Sequence, residues 1–151
     1  MSILRVKEDE SYKLEPLVVS DWRNNDGKGS DLEAACKIPS TENEFLISES
    51  GKWDGKYGRI FHLQINKQDT SYIAEIMGVL DFPEFDAKGP DDETGDEVEG
   101  LACQSTNNDK VRIFFGERGG SQAYSSGLIR WAEADLTNYS LAWTNGGKNG
   151  C

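Results

Sequence analysis

The chain sets glutamates at the same two points of a phrase that it writes twice. The first copy runs SDLEAACKIP, EFLISESG, GRIFHLQI, and the second DEVEGLACQ, VRIFFGERGG, GLIRWAEADL. Glu33 answers Glu99 at a spacing of 66 residues, Glu49 answers Glu117 at 68, and Gly58 answers Gly127 at 69. Each copy opens on alternating acids, Asp31 and Glu33, then Glu97 and Glu99, and residues two apart on a strand share a face. A further carboxylate ends each second strand near glycine, Glu49 before Gly51 and Glu117 before Gly119. A purely structural repeat would need only apolar residues at these points. Clustered carboxylate oxygens suit a hard cation such as Ca²⁺, which accepts several oxygen ligands at flexible geometry. The competing reading is that these acids cap turns or pair with Arg59, Arg112 and Arg118.

Other chemistry has little support. His62 is the single histidine and lies mid-strand between Phe61 and Leu63, where a structural role outweighs a catalytic one. Gly119-Gly120-Ser121-Gln122-Ala123 approaches a nucleophile elbow but lacks the second glycine and the following helix. A calcium loop counted from Trp22 places Asn24, Asp26, Gly27 and Glu33 correctly, yet it has tryptophan where the first acid belongs. No phosphate-binding or dinucleotide loop is present. Cys36, Cys103 and Cys151 have no metal-binding spacing. Cys36 and Cys103 follow the repeated glutamates closely and read as small buried hydrophobes; a disulfide between them would require an oxidising compartment.

The elements that must position the acids are strands. Glu44–Ser48, Arg59–Ile65, Tyr72–Leu80, Val111–Phe115, Leu128–Ala132 and Tyr139–Trp143 are rich in β-branched and aromatic residues and bounded by turn formers. Leu32–Ile38 and Val98–Cys103 add a strand at the head of each copy. Each copy therefore reads as a four-stranded meander, and the period is that of a repeat architecture. Phe45, Leu46 and Ile47 run together, as do Ile113, Phe114 and Phe115, so both faces of the sheets need cover. A blade packed between two neighbours provides it. The expected organisation is a lead-in over 1–29, a first blade over 30–80, an acidic loop over 81–96, a second blade over 97–143 and a glycine-rich tail over 144–151.

The 151 residues carry a net charge of −11, which disfavours nucleic acid and anionic membranes as partners and favours cations. No apolar run reaches membrane-spanning length and no signal peptide is recognisable, so the expected location is the cytoplasm.

At Asp31-Leu32-Glu33-Ala34 with Glu49-Ser50-Gly51, and at Val98-Glu99-Gly100-Leu101 with Gly116-Glu117-Arg118-Gly119-Gly120, the chain resembles the phytase-like, "esterase-like activity of phytase" family of β-propellers. Those proteins repeat an acid-x-Glu-Gly-apolar strand followed by a strand ending in acids. The second copy matches; the first departs at Ala34, where glycine is usual. The likeness spans about Ser30 to Trp143. It implies an all-β, calcium-dependent propeller whose channel carboxylates bind and hydrolyse phosphate esters. Carried over, it makes Glu33, Glu49, Glu99 and Glu117 Ca²⁺ ligands and Arg59 and Arg118 contacts for the anion of a phosphorylated small molecule. Enzymatic activity does not follow from the likeness, and the alternatives are a non-catalytic binding propeller or an inactive fragment. Closed propellers typically have four to eight blades. Two blades imply an N-terminal fragment of a longer frame, self-association through an exposed blade flank, or a face-to-face sandwich.

Overall fold

The computed structural model describes residues 1–22, 27–29, 31–50, 52–53, 56–81, 98–106, 110–117, 128–143 and 149–150; for 52, 53, 56, 57, 117, 128, 143, 149 and 150 it describes the backbone only. The strands are β1 (Ser2–Val6), β2 (Tyr12–Val19), β3 (Leu32–Lys37), β4 (Glu44–Glu49), β5 (Lys52–Trp53), β6 (Lys56–Tyr57), β7 (Arg59–Gln68), β8 (Ser71–Asp81), β9 (Val98–Ser105), β10 (Val111–Glu117), β11 (Leu128–Asp135), β12 (Ser140–Trp143) and β13 (Asn149–Gly150). The described residues form no α-helix, and the protein is all-β.

Two antiparallel meanders carry the repeat. The first is β3-β4-β7-β8, interrupted by the small β5-β6 hairpin, and the second is β9-β10-β11-β12, with β13 added at the start of β11. Each expected strand is found, most of them longer than the sequence suggested. Turn chemistry closes the hairpins. Asp69 takes a positive φ of 53° between β7 and β8, and the Asp135 carboxylate accepts from the backbone N–H of Thr137 at 2.9 Å between β11 and β12. The hydrogen-bonded hydroxyl and N–H of Thr137 hold the Asp135 carboxyl below its usual range.

The lead-in is more than a lead-in. Residues 1–29 contribute a hairpin, β1-β2, whose second strand joins β8 in parallel, Leu17 opposite Tyr72 and Val19 opposite Ala74. The first sheet is therefore six-stranded and mixed, in the order β1-β2-β8-β7-β4-β3. It curls. Leu17, Ile47, Phe61, Leu63 and Ala74 form a core on its concave side, with Ile3, Val19 and Trp22 packed against them. Trp22 meets Phe61 edge-on at 5.1 Å between ring centroids.

The second sheet lies on the convex side. Ile38, Leu46, Ile60 and Leu80 of the first sheet meet Val98, Val111, Ile113, Phe115, Ala132 and Ala134 of the second in one continuous core. The run Phe45-Leu46-Ile47 is thus explained: Leu46 faces the second sheet and Ile47 faces the curl. The stacking is head to tail. Leu46 stands in the row Cys36–Leu46–His62, and its repeat equivalent, Phe114, stands in the row Ala102–Phe114–Trp131. The first unit buries the Leu46 face against its neighbour, whereas the second unit uses the opposite face, that of Ile113 and Phe115.

Candidate functional site

The repeated acids gather at one end of the two stacked sheets. β3 and β9 run side by side in the same direction, their heads held by a chain of backbone bonds. Ser50 N–H donates to Asp31 C=O at 2.9 Å, and Val98 N–H donates to Ser50 C=O at 2.5 Å. Five positions along β3, Cys36 is joined to Cys103 of β9 by a disulfide, with 5.8 Å between their Cα atoms. The reading of these cysteines as simple small hydrophobes is corrected here. They are not register equivalents, since Cys36 matches Ala102; they sit on facing sides of the neighbouring strands and meet.

Glu33 and Glu99 occupy the same backbone irregularity. Leu32 pairs with Glu49 and Ala34 with Ser48, which leaves Glu33 as an extra residue between them. In the second unit Val98 pairs with Glu117 and Gly100 with Gly116, which leaves Glu99 in the same position. Each is the extra residue of a β-bulge, a device that bends a strand and re-aims a side chain. Both glutamates are exposed and both make polar interactions.

Glu49 has a different fate. It is 1% exposed, and its carboxylate accepts from three donors of Arg59. Arg59 Nη2 donates to Oε1 at 2.7 Å, and Nε and the backbone N–H each donate to Oε2 at 3.0 Å. The same guanidinium donates to the carbonyls of Gly27 and Lys28, both at 3.3 Å, and lies 5.0 Å from the Phe61 ring. Arg59, expected as an anion contact, is thus engaged by Glu49 and backbone oxygens. Asp31, with a φ of 50°, accepts from the Ser50 hydroxyl at 2.7 Å. Arg112 pairs with Glu133 at 2.8 Å and stacks 4.5 Å from Trp131. Glu97 and Arg118 lie outside the described residues, and of Glu117 only the backbone pairing with Val98 and Leu128 is described.

A Ca²⁺ centre needs several converging oxygens. Among the described residues no group of three or more His, Cys, Asp or Glu side chains comes together to hold a metal ion. The described residues therefore do not assemble that centre, and no chemical step is drawn through it.

A polar network absent from the sequence reading bolts the units together. His62 is buried, with Nε2 2.9 Å from Glu44 Oε2 and Nδ1 3.1 Å from the Tyr139 hydroxyl of the other unit. The Tyr139 ring rests on the bare backbone of Gly78, where a Cβ would fall inside the ring. Burial, and then the negative charge of Glu44, push the Tyr139 hydroxyl above its ordinary range. The mid-strand position of His62 hinted at such a role; nothing in the sequence marked Tyr139.

No protein-family model matches the chain, and no curated protein and no solved structure matches it either. The likeness to phytase-like propellers thus rests on the short motifs quoted above.

Proposed function

We propose that the chain is a pair of propeller-type blades that acts as a binding module and takes a cation at the end where Glu33 and Glu99 emerge. One observation carries the reading: the repeated glutamate of each unit is the extra residue of a matching bulge, while the neighbouring Glu49 is spent on Arg59. A bulge costs regular pairing, and its recurrence at the same acid in both units is the mark of a side chain aimed on purpose. Head-to-tail stacking of the two meanders supports the blade reading, because blades in a ring also meet through unlike faces. The net charge of −11 favours a cation as ligand. Phosphate-ester hydrolysis is not part of the proposal: of the two guanidiniums offered for the anion, Arg59 is engaged by Glu49 and Arg118 lies outside the described residues.

Thermal melts of the wild type and of a Glu33→Gln/Glu99→Gln variant, each with Ca²⁺ and with EDTA, test it. A ligand that binds only the folded chain raises its stability by mass action. Ca²⁺ is expected to raise the melting temperature of the wild type and not of the double variant. Identical melting temperatures in all four samples would refute cation binding at the bulges.

A further inference from the structure

The β1-β2 hairpin turns all its charged strand residues inward, beside the core residues Ile3, Leu17 and Val19. Its charged residues lie on the concave side of the curled sheet, where Glu15 is 8% exposed and accepts from Arg5 Nε at 2.9 Å and from Lys13 Nζ at 3.3 Å. Its convex side carries Leu4, Val6, Tyr12, Leu14 and Val18, all between 54% and 73% exposed. Register sorts most of these residues into rows across the two strands: Val6 beside Tyr12, Leu4 beside Leu14, Ser2 beside Pro16. No charged side chain interrupts these rows, in a chain whose net charge is −11. β4, apolar on both faces, is buried on both. The hairpin is apolar on its outer face and has nothing over it among the described residues.

We propose that this face binds a second copy of the chain, laid face to face about a two-fold axis along the Leu4–Leu14 row. The rows taper along the strands, from Val6 and Tyr12 through two leucines to Ser2 and Pro16. A two-fold operation that reverses strand direction sets the bulky row of one copy over the small row of the other and leucine over leucine. Alternating large and small residues across facing positions is what lets two sheets interdigitate. An isologous contact of this kind is also the commonest way for a soluble chain to pair. Charge decides where such a contact can form. Two copies at −11 repel through most of their surface, and a face without charge is where they can touch. A foreign partner recruited by charge would need charge on this face, and it has none. The pairing is independent of the proposed cation site.

Sedimentation equilibrium on the whole chain from about 1 to about 100 μM tests the pairing. A reversible shift from one to two chain masses is expected. The axis sets Leu14 on the partner's Leu14, so Leu14→Glu and Leu14→Lys should each be monomeric. An equimolar mixture of the two should recover the dimer. Leu4→Glu, at the other end of the row, should behave as Leu14→Glu does. These side chains are exposed, so circular dichroism and the melting point of the monomeric form should hardly change. A wild type that stays monomeric throughout, a Leu14→Glu variant that still dimerises, or a Glu/Lys mixture that fails to pair would each overturn the proposal.

Discussion

The Tyr139 hydroxyl of the second unit stands 3.1 Å from His62 Nδ1 of the first, its ring seated on Gly78. The contact closes the seam between the two sheets from the side away from the disulfide-linked strands. Three elements have to cooperate to build it. Gly78 leaves room on β8, Glu44 and His62 form a pair across β4 and β7, and the β11-β12 turn holds Tyr139 at a positive φ of 53°.

Gly78→Ala should therefore be far more harmful than an ordinary strand substitution, because its methyl group needs the space of the ring. A loss on the order of 1–3 kcal/mol is expected from overpacking. Tyr139→Phe keeps the ring and removes one hydrogen bond, for a loss of about 1 kcal/mol. Urea unfolding of both variants checks the order.

The same hydroxyl gives an alkaline signature. Its proton is held above the ordinary tyrosine range in the folded state by burial and by Glu44. The corresponding stability is complete below the unfolded value and is lost as pH rises through the higher folded one. Tyr139→Phe should remove this alkaline decline, as read from melting temperature against pH.

The acid limb has a different source. Hydrogen bonding to Arg5, and then Lys13, holds the Glu15 carboxyl below its usual range. A carboxylate depressed by folding contributes stability above its unfolded value and loses it as pH falls through the lower folded one. Glu15→Gln should remove that contribution, lowering stability at neutral pH and flattening the stability curve in the acid window. Chemical unfolding across the window decides it.

Breaking the Glu49–Arg59 pair should cost more than any of these. Arg59→Met deprives a buried carboxylate of its guanidinium, an error worth about 3–5 kcal/mol. Because the backbone N–H of residue 59 donates to the same carboxylate and the guanidinium ties β7 to the carbonyls of Gly27 and Lys28, hydrogen exchange should rise first at the amide of residue 59.

The disulfide spans 67 residues of sequence. Closing a loop of that size stabilises by about 4 kcal/mol in the chain-entropy account. Cys36→Ser/Cys103→Ser should lose a comparable amount, measured by denaturant titration. Disulfides persist in oxidising compartments, so this bond and the expected cytoplasmic location pull in opposite directions. A thiol count on unreduced, unfolded protein should find one free cysteine, Cys151; three would show that the bond does not form in the native setting.

Much of the framework was legible in the residues. The strand runs, their turns and the two-faced apolar stretches announced the eight strands of the two meanders. The β1-β2 hairpin was not announced. Its charges at Arg5, Lys13 and Glu15 share the concave side with Ile3, Leu17 and Val19, while Leu4, Val6, Leu14 and Val18 face outward, so neither face shows the clean alternation that marks a half-buried strand. The disulfide was hidden by the repeat itself. Counting Cys36 and Cys103 as near equivalents suggested like surroundings, whereas a one-residue offset turned them toward each other. The bulges were invisible because acid-x-Glu reads as plain alternation until cross-strand partners are known. Glu49 reads in the sequence as a metal ligand and Arg59 as an anion contact, or the two as a pair; buried geometry favours the pair, since a carboxylate at 1% exposure needs its cation close by.

Paramagnetic broadening by substoichiometric Mn²⁺, followed amide by amide, tests the bulge-end proposal most directly. With a net charge of −11, weak cation binding could spread over the many acids along the chain. A site at the bulges predicts that the amides of Glu33, Glu99 and their strand neighbours lose intensity first, and that Glu33→Gln/Glu99→Gln abolishes that order. Broadening that is uniform across the acidic residues, or strongest far from Glu33 and Glu99, would contradict it.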